Sequence, residues 1–118
     1  MPNFGQNHAY DLAVHEIKVK TECKRRILEV VDLETQTNIA QAGVIYTSLL
    51  SEGVAKSEAR ETAGFQHGDL EAAAMWHQWV KSMRDSAKLM MSDLNAKYED
   101  DASWPAVPDG VEEMASRF

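Results

Sequence analysis

The chain predicts an all-α fold, a small helical bundle or antiparallel helical hairpin with an extended C-terminal tail that contains a Trp-Pro pair. Three observations carry that expectation. Apolar residues recur at helical spacing in three separate stretches, no stretch alternates apolar and polar residues long enough to make a half-buried strand, and Gly and Pro gather between the periodic stretches. With 118 residues the chain suffices for one modest core and not for two independent ones.

Residues 1–8, with Pro2, Gly5 and two Asn, show no periodicity and read as a flexible N-terminal arm. A helical domain is expected over residues 9–98. Its first long helix spans about Tyr10 to Val31, where Leu12, Val19, Cys23, Ile27 and Val30 form the stripe and Val14, Ile17, Leu28 and Val31 widen it. The short alternation "IKVK" is too brief to outweigh the helix formers around it. "DLETQTN" is rich in residues that disfavour helix interiors and predicts a break before a second helix from about Thr37 to Ser51. Ile39, Ala42, Ile45 or Tyr46, and Leu49 give that helix an apolar face, with Gly53 placed for a left-handed cap. "AKSEARETAG" reads as a short polar helix. Asp69 is a candidate N-cap for the third main helix, and Glu71 adds favourable charge to its first turn. Along it Ala73, Trp76, Val80, Met83, Ala87, Met90 and Leu94 alternate steps of three and four, a seam suited to other helices or to a second copy of the chain. The helix is expected to end near Tyr98, before "EDDASWPAVPDG". Residues 99–118 then form an extended acidic tail, with a last turn over "VEEMASRF".

The charge pattern narrows the functional classes. A net charge of −7 opposes nucleic-acid binding, which requires a basic surface. The charge is uneven, however: "KVKTECKRR" carries five cations against Glu22, while the last quarter is strongly acidic, so the two ends suit each other or a partner, or else form solvated helix faces. No apolar run approaches the roughly 20 residues of a membrane span. The opening "MPNFGQNHAY" has neither the basic start nor the apolar run of a signal peptide, which predicts a cytoplasmic protein. Cys23 is the sole cysteine, so neither an internal disulfide nor a cysteine zinc site can form, and it reads as a small buried hydrophobe. His8, His15, His67 and His77 are never three or four apart, so no helical face carries two histidine ligands. No phosphate-binding glycine loop or nucleophile elbow occurs, and no carboxylate lies within an apolar run. The expectation is a non-enzymatic protein with no catalytic residue, metal, cofactor or small-molecule substrate.

The tryptophans point elsewhere. Trp76 lies on the seam and is assigned to the core; Trp79, one position before Val80, lies at the core's edge or on an exposed groove. Trp104 stands in an irregular proline-rich segment, where it either folds back on the helices or anchors a partner. Trp76, Trp79, Met83-Arg84-Asp85 and then "SWPAVP", with Trp104, Pro105 and Pro108, resemble the C-terminal signature of phage tail assembly chaperones, the family that includes tail fibre assembly proteins. That signature reads as a Trp, an aromatic three residues on, a Leu-Arg-Asp, and a Trp-Pro followed by another Pro. The resemblance covers about residues 70 to 108; here Trp79 stands where Tyr is commoner, Val80 where an Arg often follows, and the gap before Trp-Pro is longer. It implies a partner-binding site of Trp76, Trp79, Arg84, Asp85, Trp104, Pro105 and Pro108. It also implies a helper that binds a tail or tail-fibre protein in the host cytoplasm during assembly and can be retained on the virion. A permanent structural or adaptor subunit of the tail is the alternative, and a small bacterial helical regulatory module is a more distant one.

Overall fold

A computed structural model of the chain describes residues 4–118, with side chains described from Ala9. It is all-α, with helices α1 (Phe4–Val30), α2 (Leu33–Ser51), α3 (Lys56–Ala63), α4 (Asp69–Met91) and α5 (Val111–Ala115) and no strand among the described residues. None of these helices is long and apolar enough to cross a membrane. The arm expected over residues 1–8 lies partly outside the described residues; from Phe4 to His8 the backbone already belongs to α1.

Two compact units divide the chain. One comprises the residues up to Glu29 together with Gln78–Ala106, the other Val30–His77 with Val107–Phe118. In the first unit α1 contributes His15, Val19, Cys23 and Ile27 to the interior, and the second half of α4 contributes Trp79, Met83 and Ala87. These sets repeat every three or four residues, so each helix turns one face inward. The two helices are fastened where His15 Nε2 donates to the carbonyl of Met90 at 2.8 Å.

The second unit is built from smaller parts. Asp32 caps α2, its side chain accepting from the backbone N–H of Thr35 at 2.7 Å. That cap is why the expected break contracts to Val31 and Asp32 and α2 begins at Leu33 rather than Thr37. Thr37 sits inside the helix, its hydroxyl donating to the carbonyl of Leu33. At the far end Gly53 adopts φ +88°, the left-handed conformation that its position after α2 predicted. α2 packs on α3, and Ala42, Ala63 and Phe65 form a cluster covered by Tyr46, Leu70 and Phe118. Small side chains on both helices permit that close approach.

The expected boundaries differ from the structure in the last third. α4 stops at Met91 instead of Tyr98, because Asp93 turns the backbone with its own carboxylate, which accepts from Asn95 N–H at 2.9 Å. Nor is the segment 99–118 an extended tail: it contains a 3-10 turn over Asp101–Ser103 and the short α5, whose Val111, Met114 and Ala115 are buried.

Candidate partner-binding site

The face that α4 buries is Asp69, Ala72, Trp76, Trp79, Met83 and Ala87. The expected seam is therefore shifted toward Trp79, which is 4% exposed, while Val80 is half-buried. Trp79 is therefore core, and does not line an exposed groove. The buried positions 69, 72, 76, 79 and 83 themselves alternate steps of three and four, so both indoles sit on one seam, rotated from the expected one.

Trp79 and the Trp-Pro segment belong to one arrangement within the first unit. The Trp79 indole N–H donates to the carbonyl of Pro105 at 3.1 Å, and the Trp104 indole N–H donates to the carbonyl of Tyr98 at 2.7 Å. Each ring thus buries its apolar body and spends its one polar atom on loop backbone that no helix or sheet would otherwise satisfy. Trp104 is 7% exposed, packed on its own chain. Above its ring lies the guanidinium of Arg26, 5.6 Å from the centroid.

Arg26 is the residue that sequence reasoning missed. Its Nη1 donates to Asp101 at 2.9 Å, its Nη2 to the carbonyl of Glu99 at 3.0 Å and its Nε to Glu22 at 2.7 Å. A signal for it existed: Arg26 follows Val19 by seven residues and Cys23 by three, so it lies on the inward stripe of α1, where a cation needs partners. Glu22 in turn holds Arg25, and the hydrogen bond from Arg25, with a smaller one from Arg26, keeps its carboxyl at a pKa of about 2 despite the opposing effect of burial. His15, whose spacing gives it no second histidine ligand, is buried and meets the Tyr98 ring edge-on at 5.5 Å.

The remaining motif residues are distributed as follows. Arg84 and Asp85 are exposed on α4 of the first unit; Asp85 pairs with Lys81 at 3.0 Å, and Arg84 makes no ion pair among the described residues. Burial pushes the Cys23 thiol up, the Arg84 charge opposing this only in part, as suits a small buried hydrophobe. Trp76 and Pro108 lie in the second unit. The Trp76 ring is buried, no protein acceptor meets its N–H among the described residues, and its ring centroid lies 4.7 Å from that of His77. Pro108 is half-buried and its carbonyl accepts from Val111 N–H at the start of α5.

The second unit has its own polar anchor. Asp69, 2% exposed, accepts from Arg117 at 2.9 Å and from the backbone N–H of Gln66 at 2.8 Å. Among the described residues no group of three or more His, Cys, Asp or Glu side chains is placed to hold a metal ion. Comparison with protein-family models, with curated proteins and with solved structures finds no match to this chain.

Proposed function

We propose that this chain is a non-enzymatic bacteriophage tail protein, an assembly chaperone that binds a tail or tail-fibre protein and can be retained on the virion. The observation that carries the reading is the ordered set Trp76, Trp79, Met83-Arg84-Asp85, Trp104-Pro105 and Pro108, which resembles the tail assembly chaperone signature. Geometry lends support at one point. Residues 26 apart in that set, Trp79 and Pro105, are hydrogen-bonded to each other, as expected if the pattern preserves a local structure.

The buried indoles and the exposed charges then divide the work. Trp79 and Trp104 hold the Trp-Pro segment in place, while Arg84 and Asp85 stand at the surface, where their charges can orient a partner by charge-assisted hydrogen bonds. Such a role needs no catalytic group, in keeping with a composition that offers no recognisable one.

The test is co-expression with a tail-fibre protein from the same genome. The expected result is more soluble, correctly trimerised fibre than without the chain, and a smaller gain when Arg84 and Asp85 are both replaced by Ala. Fibre that reaches the same yield and oligomeric state without the chain would defeat the chaperone reading. Stoichiometric amounts in purified virions would convert it to a structural subunit.

A further inference from the structure

In the second unit, Pro108-Asp109-Gly110 leads directly into α5, and both Asp109 and Gly110 are exposed. Of the peptide that joins them, neither the Asp109 carbonyl nor the Gly110 N–H has a protein partner among the described residues. The backbone bonds lie on either side of it: Val111 N–H donates to the Pro108 carbonyl at a long 3.4 Å, and Met114 N–H to the Gly110 carbonyl at 2.9 Å. No polar contact therefore fixes the orientation of this peptide plane. Gly110 adopts φ +88° and has no side chain to shield its nitrogen. The Asp109 carboxylate enters no ion pair among the described residues.

Other aspartates are held. Asp85 is followed by the small Ser86 but lies inside α4, where the helical ladder fixes both polar atoms of the connecting peptide. The carboxylates of Asp32, Asp69, Asp93 and Asp101 accept hydrogen bonds from Thr35, Arg117, Asn95 and Arg26 respectively. At Asp109 an exposed carboxyl thus stands beside a backbone nitrogen that can turn toward it.

We propose that Asp109-Gly110 is a site of spontaneous succinimide formation and conversion to isoaspartate in the folded chain, and that the conversion unseats α5. The Gly110 nitrogen gives its proton to solvent and attacks Cγ of the protonated Asp109 carboxyl. An N–Cγ bond forms, the Cγ–OH bond breaks, and the hydroxyl leaves with a returned proton as one water. Water then adds to either carbonyl of the ring. Opening at Cγ restores aspartate, whereas opening at the Asp109 backbone carbon breaks its bond to nitrogen. The chain then runs through Cβ and Cγ, with the former backbone carboxyl as side chain; nothing is oxidised or reduced, and the mass is unchanged. The product carries one more methylene in the main chain between Pro108 and Val111, whose turn bond is already long. Val111 and Met114, both fully buried, follow at once, and after them come Arg117 on Asp69 and Phe118, 5.3 Å from Phe65 between ring centroids. A lengthened backbone displaces the start of α5 from that close-packed seat. The proposal stands apart from the tail reading, because it needs no partner.

The full chain is aged at neutral pH, once folded and once in urea, then digested and mapped by chromatography and mass spectrometry. Isoaspartate is read by methyl transfer from S-adenosylmethionine with an isoaspartate methyltransferase, and fragmentation assigns its position. In the folded chain the peptide containing Asp109 is expected to resolve into two forms of equal mass, one of them methyl-accepting, with a transient form lighter by one water. The Asp85 peptide stays single when folded and isomerises in urea, where the α4 ladder is gone. Asp109→Glu keeps the charge but requires a larger ring, so the product is lost while the melting midpoint stays as it was. The isomerised chain, separated from the parent, melts at a lower temperature. Isoaspartate that forms at Asp109 in urea but not in the folded chain overturns the proposal, as does equal isomerisation of Asp85 and Asp109 in the folded chain. A product that persists in Asp109→Glu places the site elsewhere and overturns it too, and an isomerised chain that melts with the parent overturns the unseating of α5.

Discussion

The two units are made of similar helices and held by different means. In the first, two tryptophans fill the interior, and each indole N–H is donated to a loop carbonyl, so large aromatic rings fix a stretch of chain that has no regular hydrogen bonding of its own. In the second, alanines at positions 42, 59, 63, 72 and 115 let helices lie close, a Phe65 cluster fills the space, and one buried ion pair, Asp69 with Arg117, joins the start of α4 to the chain's end. Irregular backbone thus calls for anchors with a polar tip, whereas helix-on-helix packing calls for small complementary surfaces.

If this contrast holds, the largest loss should come from the first unit's anchor. Trp104→Ala removes a buried ring, the stacking surface of Arg26 and the donor to Tyr98, and is expected to destabilise the chain by about 3 to 5 kcal/mol in urea unfolding. A loss under about 1 kcal/mol would place the ring at the surface instead. Next comes the second unit's polar anchor. Asp69→Ala leaves the N–H of Gln66 without its acceptor and Arg117 with Glu113 alone, an expected loss of about 2 to 3 kcal/mol, whereas the exposed Glu113→Ala should move the midpoint little.

A sharper comparison uses one substitution in both units. Trp79→Phe keeps most of the ring but removes the donor to Pro105, at an expected cost of about 1 kcal/mol. Trp76→Phe removes an N–H that no protein acceptor meets among the described residues, and should change stability by less than half as much. Calorimetric melting of the pair decides it: equal losses would mean that the Trp79 hydrogen bond contributes nothing beyond ring volume.

How much of this was legible follows the range of the interactions. The helices were legible because their stripes are local, and Trp76, Met83 and Ala87 lie inward as their spacing predicts. The start of α2 was misplaced because a single hydrogen bond, Asp32 to Thr35, outweighs the poor helix propensity of the Thr and Asn residues beyond it. The end of α4 was misplaced for the same kind of reason, at Asp93. What the sequence could not disclose was the fate of Trp104. Its cover is Arg26, 78 positions earlier, and only the opposite charges of "KVKTECKRR" and the acidic last quarter connect the two segments, without naming either residue. Among the residues of the tail-like pattern, Trp79, Trp104 and Pro105 are drawn together, while Trp76 and Pro108 serve the second unit.

The smallest expected effect tests the same contrast by pH. Glu22 in the first unit and Asp32 in the second both have lowered pKa values, the former at about 2 through Arg25 and then Arg26, the latter through the Thr35 N–H. A carboxyl whose folded pKa lies below its unfolded value stabilises the folded chain above the unfolded pKa, and that contribution fades as the pH falls toward the folded one. For Glu22 the window runs from about 4.5 down to about 2. Glu22→Gln should therefore flatten part of the decline in the urea midpoint over that range, while costing within about 1 kcal/mol at neutral pH, since one of its two arginine partners is largely solvated. Asp32→Asn should flatten another part and leave the first unit's response intact. Tryptophan fluorescence separates them through the Arg26 guanidinium above the Trp104 ring: protonation of Glu22 releases the Nε contact of Arg26, so the acid-induced change near Trp104 should persist in Asp32→Asn and shrink in Glu22→Gln. An identical acid response in both variants would show that Arg26 holds the Trp-Pro segment without help from Glu22.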